Sequence, residues 1–347
     1  MLSIQCTGTP HQIGIKHGEA AAAAITRCIA FYAKLFLQST GKDWQQIRDV
    51  AGQFEPILAS KWPQYLEEIR GIATGASVPA VDIIALNVRT EITFGLWNSS
   101  RTASDGCTAL AWHTEKSGFL AQNWDWQEEQ SSNLLLLTIN QPDKPTIKMV
   151  TEAGIIGKIG LNSAGVGVCL NAIRIPGLDM NRIPCHLGLR KVLEIRSREE
   201  AVDGLRECGV ASACHFLIAD SEGSTGLEWS STDVQEVKMS ERSKLFHTNH
   251  FVLPHPGVED IHWLKDSPPR LSRIEALCDE ITTPSLDGIA RILQDQQDFP
   301  AAICRSQVGE STFATLFSIV MDLAVPRAIV TMGQPVKPTG TYELRFE

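Results

Sequence analysis

Asp105-Gly106-Cys107-Thr108, followed by Gln122-Asn123-Trp124-Asp125-Trp126, is the stretch on which the reading of this chain turns. Upstream of it, residues 96–104 are small and polar, the composition of a linker. Downstream, 107–112 and 119–126 read as strands, and Glu115-Lys116-Ser117-Gly118 between them is short enough for an antiparallel hairpin. Cys107 therefore stands where a linker meets the first strand, and Gly106 before it has no side chain to hinder approach to its carbonyl. A cysteine within a strand is ordinarily a small buried hydrophobe, and Cys6, Cys28, Cys169, Cys208 and Cys278 are read that way. Its place at the junction sets Cys107 apart as a candidate nucleophile.

Working outward, the first hundred residues are mostly helical. A short strand over 2–7 precedes a long helix over 9–38, which Thr9 caps and Pro10 opens. A second helix fits 43–60, with Pro56 as a break or kink. In the third, Tyr65, Ile69 and Ile72 share a face while Glu67, Glu68 and Arg70 point elsewhere. A fourth spans 81–94. Beyond the hairpin, strands are expected at 133–140, 147–151 and 154–171, then helices at 185–195 and 199–208. Strands at 213–219, 225–230, 233–238 and 244–249 follow, then helices at 269–280 and 285–295 and closing strands near 314–321, 327–332 and 341–346. This succession predicts an α+β fold in which two antiparallel sheets stack between helical layers.

The chain has 347 residues, 43% apolar and 20% charged, enough for a large core without disulfide or metal staples. A net charge of −9 with no basic run argues against nucleic-acid binding. Nine scattered cysteines, odd in number and without a CxxC pair, suit a reducing compartment. The first residues lack the basic and apolar regions of a secretory signal, no apolar run approaches a membrane span, and Leu344-Arg345-Phe346-Glu347 is not a peroxisomal address. The expectation is a cytoplasmic protein without a membrane partner.

Other chemistries are weakly encoded. His113, His247 and His250 are candidates for a Cys–His dyad, but nothing in the sequence brings one to Cys107, and His247-Thr248-Asn249-His250 lacks a third metal ligand. The glycines at 154, 157, 160, 165 and 167 open no phosphate loop and read as strand bends, and no Gly-x-Ser-x-Gly elbow occurs. No metal and no bound cofactor are expected.

Asp105-Gly106-Cys107-Thr108 and Gln122-Asn123-Trp124-Asp125, with Thr151-Glu152-Ala153-Gly154-Ile155-Ile156-Gly157-Lys158, resemble the acyl-CoA:6-aminopenicillanic acid acyltransferase (isopenicillin N acyltransferase) family. The resemblance continues through Asn162-Ser163-Ala164-Gly165-Val166, Gly226-Leu227-Glu228-Trp229-Ser230, His247-Thr248-Asn249-His250, Ile303-Cys304-Arg305 and Ala314-Thr315-Leu316-Phe317. Gly8-Thr9-Pro10, Glu67-Glu68-Ile69-Arg70-Gly71-Ile72-Ala73 and Arg89-Thr90-Glu91 extend it upstream, so it covers the chain in order. It implies an N-terminal-nucleophile (Ntn) hydrolase, an αββα four-layer sandwich over 1–347 that cuts itself between Gly106 and Cys107. The products would be a mostly helical fragment, 1–106, and a catalytic fragment, 107–347, held together as a heterodimer.

By the same resemblance Cys107 is the nucleophile, Asp125 holds or orients its α-amine, and Asn249 donates to the oxyanion. Thr108, Trp126, Ser230, Arg305 and Ser311 match positions that support the site, Arg305 as a partner for a substrate carboxylate. A strand-end carboxylate, a turn asparagine and a structural ion pair are the plain alternatives for Asp125, Asn249 and Arg305. Three departures bear on the substrate: Ala109 stands where the family has threonine, Thr312-Phe313 where it has Arg-Gly, and the linker is longer. The expected function is acyl transfer through a Cys107 thioester, from acyl-CoA as co-substrate or an amide, to an amine or water. A plain amidohydrolase and an unprocessed, non-catalytic binding protein are the rivals.

Overall fold

The computed structural model describes residues 1–96, 106–260, 263–309 and 311–346; the expected linker falls outside them except for Leu96. Strand β1 (Leu2–Thr7) leads into helix α1 (Pro10–Thr40), where Thr9 and Gln12 form a reciprocal capping box. Helices α2 (Trp44–Gly52) and α3 (Glu55–Lys61) replace the single expected helix, because Pro56 permits only a new first turn. Helix α4 (Pro63–Ala76) crosses α1 backbone to backbone: a Cβ on Gly14 would stand 2.1 Å from the Glu68 carbonyl, and one on Gly71 2.3 Å from that of His11. Helix α5 (Ala80–Asn87) stops earlier than expected and gives way to a π-helical turn over Glu91–Leu96. The stop has a cause, since the Asn87 side chain bonds the Gly154 carbonyl and the Ile156 amide of a distant loop.

After Gly106 come β2 (Gly106–Thr114), β3 (Ser117–Trp126), β4 (Leu134–Asn140), β5 (Ile147–Glu152), β6 (Ile159–Asn162) and β7 (Gly167–Ala172). Helices α6 (Cys185–Leu193) and α7 (Arg198–Cys208) precede β8 (Cys214–Ala219), β9 (Ser224–Trp229), β10 (Val234–Lys238) and β11 (Lys244–His247). Helices α8 (Ser267–Asp279) and α9 (Leu286–Ile292) and strands β12 (Ala314–Asp322), β13 (Arg327–Met332) and β14 (Gly340–Arg345) complete the chain.

The strands form an eight-stranded sheet, β1-β4-β5-β6-β7-β8-β9-β10, and a six-stranded sheet, β11-β2-β3-β12-β13-β14. Pairing is antiparallel in both except at β1, which lies parallel to β4. Helices α1, α6 and α7 cover the first sheet and α8 and α9 the second, while β2 and β3 touch β7 and β8 across the middle. The fold is therefore the expected αββα four-layer sandwich. Alternation along β2 explains why both of its faces are apolar: Ala109 and Ala111 look toward the first sheet, Leu110 and Trp112 toward Ile274, Ile289 and Ile292 of the outer helices.

Two sequence expectations are corrected. Glu68 does not point away from the core: it is 1% exposed and forks onto Arg190 of α6 through two bonds of 2.9 Å. Helix α1 is, by length and composition, apolar enough to cross a membrane, although part of that surface is buried on α4 and β1.

Candidate active site

The β2–β3 hairpin sets the geometry. Its register places Gly106 opposite Asp125, Cys107 opposite Trp124 and Thr108 opposite Asn123. Cys107 and Trp124 share the face toward the first sheet, where Cys169 of β7 also lies. Asp125 emerges on the other face, and β12 brings Thr315 beside it, donating to its Oδ1 at 2.7 Å. Gly106 leaves room for the Arg305 and Asp125 side chains. A Cβ would come within 2.7 Å of Arg305 Nη1 and 3.0 Å of Asp125 Oδ2.

Asn249 arrives from the segment after β11, which pairs with β2. Its Oδ1 accepts from the Cys107 amide at 2.9 Å and from Arg270 Nη2 at 2.8 Å, and its Nδ2 donates to the Ala172 carbonyl at 3.0 Å. Arg270 lies in the first turn of α8, which Pro268 and Pro269 fix in place. Its Nη1 donates to the Cys107 carbonyl at 2.7 Å and to Thr108 Oγ1 at 2.9 Å, and its Nε to Asp266 at 2.8 Å. Arg305 donates to the same Asp266 carboxylate. Asp125, Asn249 and Thr108 are fully buried, and Cys107, Arg270 and Arg305 nearly so.

The charges in this group are not evenly satisfied. Among the described residues, Asp125 Oδ2 and Arg305 Nε and Nη1 are buried with no hydrogen-bond partner. Burial pushes the Asp125 carboxyl up, against the pull of Arg305 and Arg270, and burial with the nearby Arg270 pushes Arg305 down. Burial opposes ionisation of Asp266 too, but Arg270 and Arg305 outweigh it and hold that carboxyl below its ordinary range. Unmet polar atoms beside Gly106 are costly in a protein interior unless something is to meet them.

A cavity of about 280 Å³ opens beside Arg305, walled by Leu264, Pro300, Ala301 and Phe313, with Ser311 and Thr312 at its edge. Ser311 therefore reaches the site, although its hydroxyl bonds the Phe313 carbonyl at 3.2 Å. Trp126 lies on the opposite face from Asp125, stacked on Phe313 at 5.9 Å, and so backs the cavity wall. Ser230 directly follows β9, and its hydroxyl bonds Asp233 and Thr232. His247 bonds Glu228 at 2.7 Å and stacks on His215, His250 bonds Ser267 at 2.8 Å, and burial lowers His113. Among the described residues no cluster could hold a metal ion.

A profile of the family described as acyl-coenzyme A:6-aminopenicillanic acid acyl-transferase matches residues 112–337. Over 349 aligned positions the chain is 37% identical to acyl-coenzyme A:6-aminopenicillanic-acid-acyltransferase 40 kDa form of Emericella nidulans, covering 100% of this chain and 96% of that one. The chain belongs to the acyl-CoA:6-aminopenicillanic acid acyltransferase family. Among solved structures, penicillin V acylase from Agrobacterium tumefaciens aligns with a TM-score of 0.46 at 11% identity, over 69% of this chain and 86% of that one.

For this acyltransferase-family chain the fold gathers Cys107, Thr108, Asp125, Asn249, Arg305 and Ser311 at one end of the six-stranded sheet, and Ser230 directly follows β9 of the other sheet. Sequence reading missed Arg270, Asp266 and Thr315. Asp266 and Arg270 are four apart on a helix start, the spacing of an ordinary surface ion pair. Only the approach of α8 to β2 turns that pair inward.

Proposed function

We propose that the chain is an autoprocessed Ntn cysteine acyltransferase whose nucleophile is Cys107. In processing, Cys107 Sγ adds to the Gly106 carbonyl, the peptide C–N bond breaks, and the former amide nitrogen takes a proton. Water then hydrolyses the thioester to a Gly106 carboxylate and a free thiol. The new α-amine, with an ordinary pKa near 8, takes the thiol proton as general base. The thiolate attacks an acyl-CoA or amide carbonyl, CoA thiol or amine departs with a proton, and an amine or water attacks the acyl-enzyme. No bound cofactor enters these steps; acyl-CoA acts as substrate.

The observation that carries this reading is the arrangement around one peptide bond. The Cys107 amide, which cleavage would turn into the α-amine, donates to the buried Asn249 Oδ1, and unpartnered atoms of Asp125 and Arg305 flank Gly106. Membership of an acyltransferase family agrees with it, and so does a relative named by its 40 kDa form. The apolar part of the cavity wall suits an acyl group, and Arg305, which there also pairs with Asp266, is the cation that could meet an acceptor's carboxylate. The changes at Ala109 and Thr312-Phe313 stand against a β-lactam as its acceptor.

Intact-mass detection on a denaturing gel tests the reading. From 38.1 kDa, fragments of roughly 12 and 26 kDa by residue share are expected for the wild type, and a single full-length species for Cys107→Ala. A full-length band for both after long incubation would point to the non-catalytic relative. With cutting established, product from an acyl-CoA that forms only when an amine is present identifies a transferase, and product without amine a hydrolase.

A further inference from the structure

We propose that Arg270 is the positioning residue of this site, holding both the Asn249 amide in its working orientation and the Cys107 nitrogen as a free base. The proposal rests on the reading of Cys107 as an N-terminal nucleophile.

The Asn249 orientation is fixed by the chemistry of its neighbours. The Cys107 N–H and the Arg270 guanidinium can only donate, so the atom facing both is the oxygen. The Ala172 carbonyl can only accept, so the atom facing it is the nitrogen. Without Arg270, Asn249 Oδ1 loses one of these donors. After cleavage the amine beside it donates or accepts and so no longer selects the oxygen, and the preference for the working orientation, still favoured by the Ala172 carbonyl, would weaken. A flipped amide presents oxygen where an oxyanion needs N–H.

The same guanidinium reaches the Cys107 carbonyl at 2.7 Å and Thr108 Oγ1 at 2.9 Å, so it fixes the first residues of β2 directly. A planar fork is required, because four acceptors on three chain segments, Asp266 included, lie around it; an ammonium is a point charge and cannot match that spread. A cation bonded to the carbonyl of the residue that bears the α-amine also opposes protonation of that amine. The other charged or titratable groups facing this position are Asp125 on β3, Arg305 ahead of β12, Asp266 ahead of α8, and Cys169 on β7.

The cutting, folding and alkylation arms of the test need no substrate, and turnover is read with an acyl-CoA and an amine. Wild type, Arg270→Gln and Arg270→Lys are followed by gel for cutting, by circular dichroism for folding, and by mass spectrometry for the rate of Cys107 alkylation with iodoacetamide across pH. Folded, cut Arg270→Gln is expected to alkylate with a midpoint about one pH unit higher, because its amine holds a proton more tightly. Arg270→Lys is expected to keep the wild-type midpoint yet lose about 10-fold or more in acyl turnover, reflecting the lost fork. A folded Arg270→Gln that stays uncut, with cutting restored in Arg270→Lys, would also support the proposal. Coincident midpoints in wild type and Arg270→Gln would overturn it. Unfolding of both variants would overturn it in favour of a purely structural arginine. A wild type that is never cut appears on the gel before alkylation begins, and sinks the reading of Cys107 instead.

Discussion

Two buried carboxylate–guanidinium sets in this protein are built to opposite specifications. Glu68 and Arg190 join α4 to α6 in a two-point fork at 2.9 Å, and Glu194 takes the Arg190 Nε at the same distance. Burial raises the Glu68 carboxyl despite Arg190, while Glu68 and Glu194 together hold the Arg190 proton more firmly than usual against the burial that opposes it. Asp125 and Arg305 also lie near one another, yet they stop short of a fork and keep unmatched polar atoms beside Gly106. The first set completes itself within the fold. The second is left incomplete at the peptide bond where chemistry is proposed, the pattern expected where stability yields to function.

Breaking the closed set gives the largest expected effect on stability. Arg190→Met strands Glu68 in the core and should cost about 3–5 kcal/mol, read as a lower urea midpoint. A loss under about 1 kcal/mol would mean that the two sets do not differ in kind. Filling the open set is the next test. Gly106→Ala puts a methyl within 2.7 Å of Arg305 Nη1, and should cost about 1–3 kcal/mol and stop chain cutting.

The smallest effect has the opposite sign. Because burial raises Asp125, the folded state binds its proton more tightly than the unfolded state does. Stability from this group is present at acid pH and is lost as pH climbs from the ordinary aspartate value, about 3.9, through the raised folded one. Asp125→Asn removes that loss. It should gain about 1 kcal/mol near neutral pH, with a flatter stability–pH curve, while acyl turnover disappears. A less stable Asp125→Asn would show that the carboxylate is a structural partner after all.

What the sequence made legible is what local chemistry controls. The Thr9 cap, the break at Pro56 and the β2–β3 hairpin follow from turn residues and spacing, and the hairpin register alone pairs Gly106 with Asp125. For Glu68 charge and period point opposite ways, and the period prevails. It lies three after Tyr65 and four before Ile72, on the stripe those residues define, and only a partner from α6 explains how it can stay there. The early end of α5 depends on the loop at 153–156, and the role of Arg270 on α8 meeting β2. Both are long-range meetings that no window of residues contains.

Strand β1 lies before Gly106 and its parallel partner β4 after it, as do α4 and the α6 helix that takes its buried ion pair. A cut at Gly106 would leave those contacts intact while removing the covalent path between them. The uncut chain folds as a first-order event, indifferent to dilution. The cut protein, once melted, would have to reassemble from two pieces by collision, so its recovery would fall with dilution and its apparent melting temperature would depend on heating rate. Processing would thus make folding a one-way passage, with the working enzyme kept in shape by slow unfolding rather than by any ready return.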